Sequence, residues 1–487
     1  MWLHKNALAA ITLFFFSTLN GTSQPFEANW ASLNKRPVPA WFKQDKFGIF
    51  IHWGVYAVPS FSRVIPDGYS EWYWANYNTP GRPNHEAVRA FHHRVYGEKF
   101  SYHDFAPMFR AELYDAEEWA DIFKKSGARY VVLTSKHHDG FALWPSKHAD
   151  ESWGRPWNAV STGPKRDVLG ELTNAVKQSG LKMGFYYSLM EWYNPVHEKD
   201  PDAYVGKVMM PQFKDLVNTY KPAVIFSDGE WVKSDTAWRS TELLAWLFNE
   251  SPVKDHVVVN DRWGKTTRKQ HPSTYYTSEY GSGLDKNVVW EESRGMGQSY
   301  GYNRMEKLKD YKTVDELVLI LTDIVSKGGN LLLDIGPAAD GTIPVIMEDR
   351  LTGMGKWLAA NGEAIYGTQA WKYDRQWSAG KLPTLKSGEY QTDYDINEYI
   401  KPSPDHAHIE MFFTQKGKDL YAIVPRFTST ITLRKMQLKP GTNLEVLGST
   451  IKPKWRQQGS NVVVDMSAFK PGDLKAAIFV LKIKGGA

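Results

Sequence analysis

Five short apolar runs in the first part of the chain are each followed by residues able to do chemistry. His52-Trp53-Gly54 follows the first, and Lys136-His137-His138-Asp139-Gly140 the second. Tyr187-Ser188, with Glu191-Trp192 just beyond, follows the third. Ser227-Asp228-Gly229-Glu230-Trp231 follows the fourth, and Asn260-Asp261-Arg262-Trp263 the fifth. One polar group after an apolar run means little, because loops are polar anyway. Five in series, bearing His, Asp, Arg and Trp, point to a single cleft. Carboxylates and imidazoles hydrogen-bond hydroxyls, and flat aromatic faces stack on the C–H side of a sugar ring. The set suits a polyhydroxylated ligand.

Cleaving a glycosidic bond generally takes two carboxyl groups. One attacks or activates water; the other protonates the departing oxygen and needs a raised pKa to do so. Asp228 is the first candidate, because it comes straight off an apolar run. The second should lie further along. Glu279, in Tyr275-Tyr276-Thr277-Ser278-Glu279, and Glu291 or Glu292, after Trp290, are the candidates. Plainer readings stand beside these. Asp228 could cap a loop. His137 and His138 could be a metal pair, but neighbours at a strand end diverge and a metal site needs further ligands. No metal and no cofactor are therefore expected. Asp334, before Ile335-Gly336-Pro337, reads as a structural acid.

These residues need a frame to converge. Apolar runs at 47–51, 130–133, 183–187, 224–226, 257–259 and 331–335 are short and bounded by turn residues, as buried parallel strands are. Amphipathic helices lie between them. Asp115 with Glu118 resembles a capping box, followed by Trp119, Ile122 and Phe123 on one face up to Gly127. Thr313 with Glu316 opens another, with Leu317, Ile320, Leu321 and Ile324 on its buried side. A third spans about 344–360. The alternation predicts an α/β fold of the (β/α)8, TIM-like barrel type, whose active site lies at the C-terminal strand ends. A doubly wound open sheet is the rival. After 367 the helical period fades, and 408–413, 420–424, 462–464 and 477–483 read as strands. The predicted organisation is a barrel over 24–367 and an antiparallel β-sandwich over 368–487.

The 487 residues are 42% hydrophobic and 14% aromatic, with 20 Trp, enough for a large core. The net charge of +5 is spread without long like-charged runs, so neither nucleic acid nor a membrane surface is an expected partner. Lys5, the apolar stretch 7–19, and small Gly21 and Ser23 read as an export signal over residues 1–23. The expected location is secreted or periplasmic, or lysosomal in a eukaryotic host, without stable membrane insertion. The chain has no cysteine, so an exported protein would rest on its core alone. Asn249-Glu250-Ser251 fits a glycosylation acceptor in a eukaryotic host. Oligomeric state is left open.

In these motifs the sequence resembles the α-L-fucosidases of glycoside hydrolase family 29. The matching stretches are Phe47-Gly48-Ile49-Phe50-Ile51-His52-Trp53-Gly54, Glu71-Trp72-Tyr73, Lys136-His137-His138-Asp139-Gly140-Phe141 and Ser227-Asp228-Gly229-Glu230-Trp231. Asn260-Asp261-Arg262-Trp263 and Asn330-Leu331-Leu332-Leu333-Asp334-Ile335-Gly336-Pro337 complete them, over about 41–368. The resemblance implies a retaining exo-enzyme that hydrolyses terminal α-L-fucose from a fucosylated glycan through a covalent intermediate on Asp228. It implies a sugar pocket of His52, Glu71, Trp72, His137, His138, Tyr187, Trp231 and Arg262. Tyr186 competes with Tyr187, because adjacent strand residues face opposite ways. The acid/base is Glu279 or Glu291. Tyr276-Thr277-Ser278-Glu279 is similar to an aromatic-Thr-Pro-Glu pattern with Ser278 for Pro, and Trp290-Glu291 to a Trp-Glu-x-Cys pattern with Ser293 for Cys. A silent fucose-binding barrel, or a barrel glycosidase acting on a related sugar such as galactose, are the alternatives.

Overall fold

The computed structural model describes residues 25–385, 394–474 and 476–487; the expected export signal lies outside the described residues. Eight parallel strands form one sheet in the order β5-β4-β3-β2-β1-β8-β7-β6. They are β1 (Phe47–Ile51), β2 (Tyr130–Lys136), β3 (Lys182–Ser188), β4 (Val224–Asp228), β5 (Val258–Val259), β6 (Tyr276–Glu279), β7 (Trp290–Gly295) and β8 (Asn330–Ile335). A parallel bridge between Asn260 and Tyr275 links the β5 and β6 edges and curls the sheet into a TIM-like barrel.

The strands are buried on both faces, so each alternates between two cores rather than between core and water. In β1, Phe47, Ile49 and Ile51 join the layer under the helices, whereas Phe50 faces the bore. The bore is filled by Phe50, Tyr130, Val132, Tyr186, Val224, Phe226, Val258, Tyr275 and Leu332. Gly48 makes this possible: a Cβ there would lie 2.3 Å from the Tyr130 ring. Phe42, from the Ala40–Asp45 helix that leads into β1, packs 4.4 Å from Tyr275 and seals the N-terminal end.

Helices cover the outside. Ala116–Lys125 is capped by Asp115, which accepts the Glu117 and Glu118 N–H groups. Val168–Gln178, Met210–Tyr220 and Ser240–Asn249 follow in turn. Val314–Ser326 carries the Thr313–Glu316 capping box, and Val345–Asn361 follows β8. The alternation is incomplete. Among the described residues no helix separates β5 from β6 or β6 from β7. β6 (YTSE) and β7 (WEESRG) are also absent from the apolar runs read in the sequence, because they carry polar side chains into the interior.

From β9 (Gln369–Trp377) onward the chain is antiparallel. β9, β10 (Ile409–Lys416), β11 (Asp419–Val424), β13 (Leu444–Val446) and β16 (Phe479–Ile483) make one sheet. β12 (Thr430–Leu433), β14 (Lys454–Gln458) and β15 (Asn461–Asp465) make the other. The five-stranded sheet is covered on both faces. Phe412, Tyr421, Ile423 and Val480 join the barrel's core, while Phe413, Leu420, Ala422 and Leu481 pack toward the smaller sheet. A buried Arg375–Asp323 ion pair at 2.9 Å crosses the seam. No helix among the described residues is long and apolar enough to cross a membrane. The Asn249 carboxamide, read as a glycosylation acceptor, instead holds the Phe26 backbone through two 2.8 Å hydrogen bonds.

Candidate active site

A cleft of about 880 Å³ opens at the C-terminal ends of the strands. Its depth follows from strand period: inward residues recur every second position, about 7 Å apart along a strand. Phe50 on β1 and His52 just past its end, Phe226 and Asp228 on β4, and Ser293 on β7 all face the cleft on this rule.

Asp228 lies at its floor, 8% exposed. The Tyr186 hydroxyl donates to one carboxylate oxygen at 2.8 Å, and the Arg262 guanidinium to the other at 2.9 Å. His138 Nε2 stands 3.5 Å away. Burial pushes the Asp228 pKa up, but the Arg262 charge and the hydrogen bonds from Tyr186 and Arg262 outweigh it and hold the carboxyl below its usual value. A second Arg262 nitrogen donates to Glu279, so one guanidinium bridges the two carboxylates. Arg262 is itself braced by Thr277 at 3.2 Å and lies over the Phe226 ring. The preceding Asn260 ties its strand end to Ser227 through bonds of 2.7–3.0 Å.

Burial holds the histidines neutral rather than cationic. Burial depresses His52 to about 3 and His138 to about 4. His52 shares a 2.6 Å hydrogen bond with Asp334, whose carboxyl burial drives well above its usual value. His138 Nδ1 meets the Ser188 hydroxyl at 2.6 Å. That hydroxyl donates onward to the Met190 carbonyl, so it accepts from His138 and leaves Nε2 of a neutral ring as an acceptor. His137 stacks on Tyr186, and its buried Nδ1 has no hydrogen-bond partner among the described residues. Beneath this pair, the fully buried Lys136–Glu191 bridge at 2.7 Å anchors the loop, and the Trp192 N–H binds the His138 carbonyl. Among the described residues no three His, Asp or Glu side chains gather as metal ligands.

Glu71 enters on the Ser70–Trp72 turn and accepts from the Gly301 N–H at 2.9 Å and the Ser299 hydroxyl at 3.2 Å. Burial raises it to about 7 despite those bonds. Trp72 and Trp231 lie near-parallel, 6.3 Å apart, and Trp231 is 38% exposed at the mouth.

Of the residues proposed from sequence, His52, Glu71, Trp72, His137, Asp228, Trp231, Arg262 and Glu279 line the cleft. His138 stands one layer back, against Asp228, Trp72 and Trp231. Two are placed elsewhere. Tyr187 faces outward, its hydroxyl donating to Gln212 at 2.8 Å and its ring under the Lys136 ammonium; Tyr186 takes the cleft position. Glu291 is inward but two residues before Ser293, hence a layer deeper and fully buried. It accepts from Tyr130, and burial raises it to about 8. Sequence reasoning missed Phe50, Phe226, Ser293, Asp67, Tyr69, Arg82 and Tyr300. Counting back in twos from His52 and Asp228 would have found the two Phe residues. Tyr300 lies on a loop and carries no such signal.

The family model described as alpha-L-fucosidase matches residues 13–363. An alpha-L-fucosidase of Branchiostoma floridae is 40% identical over 487 residues, covering 97% of this chain and 99% of that protein. The plasma alpha-L-fucosidase of Homo sapiens is 46% identical over 356 residues, covering 71% and 73%. Among solved structures, the alpha-fucosidase of Thermotoga maritima in complex with a mechanism-based inhibitor matches with a TM-score of 0.75 at 32% identity, covering 94% of this chain and 100% of that one.

Proposed function

The chain belongs to the α-L-fucosidase family and is a glycoside hydrolase, and on that premise we propose that it releases terminal α-L-fucose from glycans with retention, through a covalent fucosyl-enzyme on Asp228. The observation that carries this is the Arg262 bridge. One planar guanidinium donates to both Asp228 and Glu279 and so brings two carboxyl groups into one cleft, as glycosidic cleavage by a carboxyl pair needs.

Asp228, kept ionised, attacks the anomeric carbon as the glycosidic C–O bond breaks. Glu279 gives its proton to the departing oxygen, and Arg262 stabilises the carboxylate left behind. In the second step Glu279 takes a proton from water, the water oxygen bonds to the anomeric carbon, and Asp228 is freed. His52, His137 and Glu71 meet the sugar hydroxyls. Phe50, Phe226 and Tyr300 form an apolar wall that suits a methyl group. A hydroxymethyl group there would bury a hydroxyl without a partner, at a cost of about 1–3 kcal/mol, which favours fucose over galactose. Residues 1–23 act as an export signal, with the barrel over 24–367 and the sandwich over 368–487. The plasma relative supports a secreted enzyme.

The test is Asp228→Gly on an aryl α-L-fucoside with added azide. Near-complete loss of turnover, with recovery as β-fucosyl azide, is expected. Turnover near wild type, or rescue giving the α-azide, would overturn the assignment.

A further inference from the structure

Asp334 is a buried acid that the mechanism above leaves without a role. It lies on β8 opposite Phe50 of β1, so it faces the interior two residues beyond Leu332 of the bore. Its Oδ1 stands 2.6 Å from His52 Nδ1, and its Oδ2 is buried without a hydrogen-bond partner among the described residues. Other buried aspartates are better supplied. Asp139 accepts from the Tyr102 hydroxyl and the Phe141 N–H. Asp261 accepts from the Thr277 hydroxyl and N–H and from the Lys269 N–H. Asp323 is met by Arg375, Lys327 and Tyr394. An ionised carboxylate offers about four acceptor sites, and burying one with so few donors is costly. The nearby carboxyl groups of Glu71 and Glu306 act with burial to drive the Asp334 pKa up. The acid form fits the same place, because its O–H can donate to the ring nitrogen.

His52 is held so that the place of this proton matters. Its backbone N–H donates to the Ile335 carbonyl at 3.1 Å, and its ring sits against Phe50 at 4.6 Å and Tyr300 at 4.9 Å. With Nδ1 turned to Asp334, Nε2 is the ring nitrogen left for the cleft that His52 lines. A neutral imidazole has one N–H, and the partner on one nitrogen decides the role of the other. Resting on the reading of His52 as a sugar contact, we propose that Asp334 is a positioning residue. Its carboxyl keeps a proton and donates it in the hydrogen bond to His52 Nδ1, so Nε2 carries the ring's N–H and donates to a sugar hydroxyl. A carboxylate at Asp334 would give the opposite ring, with Nδ1–H donating to it and a bare Nε2 accepting. His138 has that opposite form, because Ser188 accepts its Nδ1–H. The two imidazoles therefore meet their neighbours with opposite polarity, a donor at His52 and an acceptor at His138.

The test reads the proton directly. Nitrogen-15 NMR of the free enzyme labelled in histidine, with the His52 signals identified by their loss in His52→Gln, should place the ring proton on Nε2 near neutral pH. A proton on Nδ1 overturns the proposal. Infrared difference spectra of wild type against Asp334→Asn should show the carbonyl stretch of a protonated carboxyl at the same pH, and a carboxylate band in its place is equally fatal. Kinetics on 4-nitrophenyl α-L-fucoside supply the functional arm. Asp334→Ala should raise KM about tenfold, as loss of one hydrogen bond to the sugar predicts, with kcat changed less. Asp334→Asn, whose amide N–H can stand where the carboxyl O–H stood, should recover most of that loss. An Asn variant as impaired as the Ala variant overturns the proposal. A wild-type KM in His52→Gln would instead strike at His52 as a sugar contact, and the two failures are distinct because the proton is located without substrate.

Discussion

The two sides of the barrel are built differently. From β1 to β4, strands of five to seven residues alternate with helices, and the functional groups sit just past an apolar stretch. From β5 to β7, the strands have two, four and six residues, no helix separates them among the described residues, and carboxyl groups lie within them. Asp228, at the end of β4, is held from the first side by Tyr186 of β3 and from beyond β5 by Arg262. The second side holds Glu279 mainly through Arg262. The lesson is that a carboxylate on a regular strand end and one on a short, helix-free stretch of the barrel can be brought into one cleft by a single guanidinium.

The sharpest way to break this comparison is to exchange the two inward glutamates of the irregular side. Glu279→Gln should lower kcat/KM on natural linkages about 10²–10⁴-fold, as loss of a general acid does, while sparing substrates with good leaving groups. Glu291→Gln should leave both classes within about tenfold of wild type, because its side chain is a layer below the cleft. Steady-state kinetics on both substrate classes decide between them, and equal losses would erase the distinction.

On the regular side, adjacent tyrosines provide the control. Tyr186→Phe removes a hydrogen bond to a charged carboxylate, worth about 1.5–3 kcal/mol, so kcat/KM should fall roughly 10- to 100-fold. That bond lowers the Asp228 pKa, so its loss should move the acid limb of the pH–rate profile upward. Tyr187→Phe should keep the profile and cost about 1 kcal/mol of stability in thermal melts.

The smallest effect concerns pH and stability. Folding raises Glu291 from 4.5 to about 8, so the folded protein keeps a proton that the unfolded chain releases. Stability from this group is full at low pH and declines as pH rises through that window, at about 1.4 kcal/mol per unit. Glu291→Gln should therefore gain on wild type between pH 5 and pH 8 in paired melts. A constant difference would mean the carboxyl does not hold its proton.

The sequence made the regular side legible because apolar runs and polar strand ends are separated there. β6 and β7 escaped the same reading: strands that bury Glu291, Glu292 and Arg294 look like loops. The Tyr186/Tyr187 choice turned on facing, which one residue of register decides. Asp334 was read as structural, and its hydrogen bond to His52 shows that a supporting residue can touch a cleft-lining one directly. The Arg262 bridge has no local pattern, since it joins residues far apart in the chain.

The ring-filled bore beneath Asp228 has a kinetic consequence. Phe42, Tyr130 and Tyr275 fill the bore among the described residues, so substrate and product pass by the cleft at the C-terminal strand ends. A buried interior residue of a glycan cannot thread through, and only a chain tip can dock. Departure is then queued: the trimmed glycan must vacate before the bound sugar can. Free fucose should compete with substrate, and a trimmed glycan that lingers stands where water must arrive, poised to take the sugar back.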